Sequence, residues 1–274
     1  MNVFSIIIPT FNSAATLAAA LGSIAAQEEA SVEVCIVDGG STDATAQIVQ
    51  QWQKKLSIQW HQEPDNGIYD AMNKGMRIAT GDWLLFLGSD DTLYSESVLK
   101  ELSGAITTYD ADMLYGDVKI IGNTGWAIDG DVYDGAFSLE KLLQKNICHQ
   151  AICYRRAFML TEIGDYTLRY AKSADWDVNL RCFAKGRVQY VPILVARFAA
   201  GGASTESTDH ALAADFVSNL QSYFGWGLFH PMLTIKGTWF YPRVVKKQRE
   251  QYPVRVKLST FVKNVTRKIR NLFS

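Results

Sequence analysis

The sequence predicts an α/β fold, a Rossmann-like and mostly parallel sheet with helices on both faces. Three observations predict it. Short apolar runs alternate with amphipathic segments from residue 3 to residue 108, the order of a repeated strand–helix unit. The runs Ile6-Ile7-Ile8 and Trp83-Leu84-Leu85-Phe86-Leu87 are continuously apolar, as strands covered on both faces are. Each run then stops at polar, turn-forming residues, and ligands of such sheets bind outside the carboxyl ends of the strands.

Val3 to Ile8 reads as the first strand, ended by Pro9; Asn12 or Ser13 is placed to cap a helix with Leu17, Leu21 and Ile24 on one face. Val32 to Val37 is the second strand, followed by the turn Asp38 to Asp43 and a helix from Ala44 to Lys55. Ser57 to Gln62 is the third, and Ile68, Met72 and Ala79 fit one face of the next helix. Trp83 to Leu87 is the fourth strand, with Ser95 to Thr108 helical behind it. Beyond this the alternation loosens. Met113 to Ile121, Ile147 to Tyr154 and Val188 to Phe198 read as strands, Ser138 to Lys145 and Ala174 to Ala184 as helices.

A chain of 274 residues, 48% hydrophobic and 20% charged, exceeds a common domain in length, needs no disulfide or metal to hold a core and is not disordered. Cys35, Cys148, Cys153 and Cys182 form no Cys-x-x-Cys pair and sit among apolar residues, which predicts structural cysteines. Met1 leads directly into the first strand, and no run approaches the ~18 apolar residues of a spanning helix. Cytoplasmic placement is the expectation. The net charge of -1 hides an asymmetry: residues 243 to 274 hold ten of the 27 basic residues and one of the 28 acids. The tail is therefore +9 and the body, with 17 basic and 27 acidic residues, -10. This charge argues against a nucleic-acid-binding body and points to a separately acting tail.

The post-strand segments Pro9 to Asn12, Asp38 to Asp43, Glu63 to Gly67 and Ser89 to Asp91 are all polar. Asp90 and Asp91 are adjacent carboxylates placed to hold a divalent metal. Oxygen ligands suit Mg²⁺ or Mn²⁺, and such an ion, held by one or two protein carboxylates, completes its shell with waters and substrate phosphates. Ser-Asp-Asp-Thr is also what a helix-capping loop looks like, so the other loops must choose between the two readings.

Taken together, Ile6-Ile7-Ile8-Pro9-Thr10-Phe11-Asn12, Val37-Asp38-Gly39-Gly40-Ser41-Thr42-Asp43 and Gly88-Ser89-Asp90-Asp91 resemble, in order and spacing, the family-2 inverting glycosyltransferases of GT-A fold. Asp65-Asn66-Gly67-Ile68-Tyr69-Asp70-Ala71-Met72-Asn73-Lys74-Gly75 resembles the colanic-acid-type subgroup that makes bacterial surface polysaccharides. The similarity continues through His149-Gln150, Ala174-Asp175-Trp176-Asp177 and residues 198 to 204, so it covers residues 3 to 225.

The resemblance implies a nucleotide-sugar donor, UDP-linked, and a glycan or lipid-linked acceptor. It implies that Asp38 accepts the uracil imide N–H, with Pro9, Thr10, Asn12 and Gly39 lining the same pocket; Asp38 before Gly-Gly also suits a tight turn. Asp90 and Asp91 match the Asp-x-Asp element, with Ser89 as the departure at its first position. Asp91 is then the main ligand to Mn²⁺ or Mg²⁺, Asp90 is shared between ribose and metal, and His210 either completes the shell or caps a helix. Many relatives have arginine where Met72 stands, which leaves Lys74 as the nearest cation for the diphosphate or as a solvated helix residue. Asp65 and Asp70 are further donor-side candidates, or caps. Asp175 matches the general base; a first-turn helix residue favoured by the dipole is the other reading. His149 and Gln150 are acceptor-side or diphosphate-side polar residues, with a satisfied, partly buried histidine as the other reading of His149, and Trp176 is an acceptor-side apolar face for a sugar ring or a core residue.

The expected organisation is a glycosyltransferase domain over 1–225, divided into a nucleotide half (1–112) and an acceptor half (113–225), then an aromatic and basic tail over 226–274. In that tail Phe261, Val265, Ile269 and Leu272 share one helical face, opposite Lys263, Arg267 and Arg270. This is the layout of a helix lying on an anionic membrane surface, here the inner face of the cytoplasmic membrane. A nicotinamide dehydrogenase is disfavoured because no Gly-x-Gly-x-x-Gly turn follows the first strand. A non-catalytic sugar-nucleotide-binding or scaffold subunit remains open at this point.

Overall fold

A computed structural model describes residues 4–28, 31–201 and 209–252. The chain separates into two compact units, residues 1–212 and 213–274, each described by itself below. The candidate tail helix carrying Phe261 to Leu272 lies outside the described residues.

The first unit is built on β1 (Phe4–Thr10), flanked by β2 (Val32–Asp38) and β4 (Trp83–Phe86), with β3 (Ile58–Gln62) at the edge; every pairing in this half is parallel. β1 is buried along its whole length, which explains the unbroken apolar run. Ile6 and Ile8 face α1 (Leu17–Ala25) within one apolar cluster, together with Leu17, Leu21 and Ile24. Ile7 points the other way, under α3 (Ile68–Ile78), where a Cβ on Gly75 would fall 2.4 Å from its Cγ2. Helices therefore cover both faces. α2 (Thr45–Trp52) and α4 (Val98–Thr108) complete the helical layers.

The second half of the sheet is mixed. β6 (Met113–Ile121) runs parallel to β9 (Val188–Ala199) but antiparallel to β8 (Ile152–Arg155), which lies antiparallel to β4 as well and so joins the two halves. The short strands β5 (Thr92–Leu93) and β7 (Val132–Tyr133) pair with β9 and β6. Strand order is β3-β2-β1-β4-β8-β6-β9-β5. α5 (Leu139–Leu142), α6 (Arg156–Phe158) with a π-turn to Ile163, and α7 (Ala174–Lys185) cover this half.

Three local expectations need correction. Residues 147 to 154 are not one strand: His149–Ala151 is a 3₁₀ turn before β8, and it turns His149 and Gln150 toward groups described below. Neither Asn12 nor Ser13 caps α1. The backbone N–H of Asn12 donates to Ser41 Oγ and that of Ser13 to Thr45 Oγ1, and the helix begins only at Leu17. Ile68 is not on the core face of α3 and is 41% exposed, because Tyr69, Met72 and Met76 take that face.

At the amino ends of the strands Glu33 is buried and accepts hydrogen bonds from Ser5, Gln59, Thr80 and the backbone N–H of Thr80 and Gly81. Burial pushes its carboxyl up, and these donors together outweigh burial and hold it at about 2. None of the four cysteines is in a disulfide, and burial raises each thiol, Cys35 to about 12.

Within residues 213–252, the rings of Trp239 and Phe240 pack on Phe216 at 4.5 and 5.3 Å, and Trp226 stacks between Phe224 and His230. α9 (Tyr241–Gln251) follows, carrying Arg243, Lys246, Lys247 and Arg249. Among the described residues no helix is long and apolar enough to cross a membrane.

Candidate active site

The carboxyl ends of β1, β2 and β4 lie side by side, and their loops are bonded to one another. Asn12, in the left-handed region at φ 49°, accepts from the Thr42 N–H; Ser13 Oγ meets Ser89 Oγ at 2.8 Å; and the Ala14 N–H donates to Asp43. Two glycines permit this closeness. A Cβ on Gly39 would sit 2.6 Å from Asp65 Oδ2, and one on Gly88 2.5 Å from Asp91 Oδ2.

These loops form one wall of a cavity of about 1000 Å³. Pro9, Thr10, Asn12, Asp65, Asp90 and Asp91 line it on the side of the parallel strands. The far wall comes from residues 144–150 and the start of α7, including His149, Gln150, Asp175 and Trp176. Asp90 is exposed, whereas Asp91 is buried. Asp91 Oδ1 accepts from the Ala199 N–H at 2.8 Å and Oδ2 from Gln150 Nε2 at 2.7 Å. Burial, then the neighbouring Asp90 charge, raises its carboxyl to about 7. These donors and the Gly88 backbone N–H leave acceptor capacity on the carboxylate, and a cation is the partner that would relieve a buried, repelled carboxylate. The pair thus fits a divalent ion that takes two protein oxygens and fills its shell from water and phosphate. Among the described residues no cluster of three acidic, His or Cys ligands exists.

Asp175, in the first turn of α7, is held from two sides. Tyr69 Oη–H donates to Oδ1 at 2.8 Å and Asn146 Nδ2 to Oδ2 at 2.7 Å. Asn179 in turn donates to Asn146 Oδ1, and Tyr154 to Asn179. Burial raises Asp175 to about 6, against these hydrogen bonds and the backbone N–H of Trp176. A carboxylate poised there is ionised at neutral pH yet more basic than an exposed one, which suits a general base.

The chain matches the family model described as "Glycosyl transferase family 2" over residues 5–162. It is 46% identical over 202 residues to the PGL/p-HBAD biosynthesis glycosyltransferase of Mycobacterium bovis (strain BCG / Pasteur 1173P2), covering 72% of this chain and 76% of that one. The chain belongs to glycosyl transferase family 2. Its fold is similar to that of S. aureus TarS 1-349 in complex with UDP-GlcNAc (TM-score 0.67, 20% identity, 91% of this chain and 73% of that one). It is likewise similar to a mannosyltransferase from Pyrobaculum calidifontis in complex with GDP-Man and Mn2+ (TM-score 0.63, 17% identity, 96% and 80%). The expected GT-A architecture is the one observed.

In this glycosyltransferase several expected site residues lie away from the cavity. Asp38 is fully buried: its Oδ1 accepts from the N–H groups of Gly40 and Ser41, and its Oδ2 from Gln62. Its carboxylate holds the following loop in shape and, like Gly39, does not line the cavity. Lys74 is drawn off by Glu63 at 2.8 Å, Asp70 at 3.3 Å and the carbonyl of Pro64. Asp70 also accepts from Asn66, and neither residue lines the cavity. Asp65 does line the cavity while accepting from the Gly67 N–H. His210 opens α8 (His210–Phe224), is exposed and does not reach the cavity wall.

His149 is buried, stacked on Phe86 at 4.9 Å, with its Nε2 3.2 Å from Tyr166 Oη. Burial lowers it to about 3, so it is neutral. Trp176 donates its indole N–H to the Leu142 carbonyl. Sequence reasoning missed Tyr69 and Asn146, which hold Asp175 across 106 and 29 residues of chain. Tyr69 sits inside the quoted Asp65 to Gly75 motif and Asn146 three residues before His149, the only signals that would have found them.

Proposed function

We propose that the chain is a metal-dependent, inverting glycosyltransferase that moves a sugar from a UDP-linked donor to a glycan or lipid-linked acceptor. One observation carries the reading: a single cavity holds an exposed–buried carboxylate pair at the end of β4 and, on its far wall, a carboxylate held and raised toward neutrality. Asp90 and Asp91 would hold Mn²⁺ or Mg²⁺, which when bound supplies charge stabilisation for the departing diphosphate. Pro9, Thr10, Asn12 and Asp65 line the donor side. Asp38 acts on the donor through the loop it shapes.

Asp175 takes the proton of the acceptor hydroxyl as that oxygen attacks the anomeric carbon, and the bond to the diphosphate breaks on the opposite side. Tyr69 and Asn146 keep its two oxygens oriented. Four carboxylates line the cavity among the described residues: Asp65, which accepts from the Gly67 N–H, Asp90 and Asp91, which would hold the metal, and Asp175. Asp175, raised to about 6 and held by Tyr69 and Asn146, is the carboxylate we assign to proton transfer, in a single displacement with inversion. His149 and Gln150 line the same cavity, with Gln150 orienting Asp91. Residues 243–274 are proposed to dock the enzyme on anionic lipid, where a lipid-carried acceptor is found.

Release of nucleoside diphosphate from a panel of nucleotide sugars, with Mn²⁺ and with chelator, tests the reading. UDP released in the presence of metal supports it. No release from any donor, or release unaffected by chelator, overturns the transfer or the metal requirement respectively.

A further inference from the structure

Between β6 and β7 the chain makes an excursion, residues 122–131, braced by hydrogen bonds within itself. Thr124 Oγ1 accepts from the N–H of Ala127 at 2.7 Å, Asp129 from Gly122 at 2.7 Å, Asn123 from Asp129 and Asp131 from Ile128. Beside the exposed Asn123, Asp129 and Asp131, this braced loop and the start of β7 turn large apolar side chains outward. Trp126 is 47% exposed, Ile128 66% and Val132 52%. Large apolar side chains exposed together beside a cavity mark a candidate binding surface.

The patch is continuous with the catalytic wall. Trp126, Tyr133 and Phe198 all line the cavity, with the indole 5.0 Å from the Tyr133 ring and 5.9 Å from that of Phe198. Tyr133 Oη–H donates to the Asn146 carbonyl at 2.6 Å, and Asn146 donates to Asp175. The aromatic group is thus two hydrogen bonds from the base, on the acceptor's side. A sugar ring here would need hydrogen-bonding partners for its hydroxyls, and one oxygen each of Asn123, Thr124, Asp129 and Asp131 already accepts from a backbone N–H of the loop. An apolar group needs none.

Resting on the glycosyltransferase reading, we propose that Trp126, backed by Tyr133 and Phe198, is the subsite for an apolar aglycone of the acceptor. The acceptor is amphipathic: its hydroxyl reaches Asp175 while its apolar portion lies on the indole.

Saturation-transfer NMR with hexyl β-D-glucoside and methyl β-D-glucoside as probes tests this. The hexyl chain should take up saturation in the wild-type protein and lose most of it in Trp126→Ala, with partial recovery in Trp126→Phe. The methyl glucoside should give a weak signal that none of the variants changes. Thermal melts check that each variant is folded, and the exposed position makes both substitutions tolerable. No hexyl signal in the wild type, a signal unchanged in Trp126→Ala, or equal sugar-ring saturation in both probes overturns the subsite. A UDP titration of the wild-type protein is read separately: its failure strikes the nucleotide-sugar reading and leaves the aglycone result standing.

Discussion

The hydroxyl of Tyr69 sets the pH at which the proposed base works, and its removal has a calculable effect. Asp175 titrates at about 6 because burial raises it further than its hydrogen bonds lower it, and Tyr69 is the leading lowering contact. A hydrogen bond to a charged group is worth ~1.5–3 kcal/mol, and one pKa unit corresponds to about 1.36 kcal/mol. Tyr69→Phe should therefore move Asp175 upward by roughly one to two units. The sign follows from the role: a base must be ionised to take a proton, so activity is lost as pH falls through its pKa. The acid limb of kcat/KM should shift from near pH 6 to roughly pH 7 to 8. Much of the lost activity should return at roughly pH 9. Phenylalanine keeps the ring that stacks on Tyr166 at 5.5 Å, so the fold should hold. Initial rates of sugar transfer for both enzymes between pH 5 and 9 make the comparison. An unshifted acid limb, or an equal loss at every pH, would refute Asp175 as the titrating base.

Asp38→Ala should destabilise the protein by ~1–3 kcal/mol, because it strands the part-buried N–H groups of Gly40 and Ser41; an unchanged denaturant midpoint would show the loop independent of it. Glu33→Gln should cost ~1.5–3 kcal/mol at pH 7 through weakened bonds to Ser5, Thr80 and Gly81. The Glu33 contribution is present above its unfolded pKa near 4.5 and is lost as pH falls toward about 2. Urea melts at pH 7 and pH 3 should therefore show the gap between wild type and variant narrowing in acid. Gln150→Ala should raise the Mn²⁺ concentration giving half-maximal activity, since it frees Asp91 Oδ2 from its 2.7 Å partner; an unaltered metal titration would separate Gln150 from the metal side.

The parallel half of the fold was legible because strands buried on both faces must be apolar throughout, and the bonded loops after β1, β2 and β4 must be polar. The mixed half was not. β8 enters antiparallel between β4 and β6, and nothing in the run Ile152–Arg155 distinguishes that direction from the other. Residue type showed that Asp175 and the Asp90–Asp91 pair were chemically able, and the fold brings them to one cavity. It did not show which polar groups were already spent. Asp38 and Lys74 find their partners through loop closure around Gly40 and Ser41, and through the helical spacing from Asp70 to Lys74 together with the approach of Glu63. The tyrosine and asparagine that hold Asp175 come from distant segments, and distance in sequence hides them.

Replacement of Asp175 by asparagine, assayed for both donor binding and sugar transfer, tests the central claim most directly. The side chain keeps its shape and loses its basicity. UDP and Mn²⁺ affinity by calorimetry should stay within a factor of about two, while transfer falls by the ~10² to 10⁴ of a lost general base. Transfer at the parent rate by a folded, UDP-binding Asp175→Asn enzyme would contradict the account.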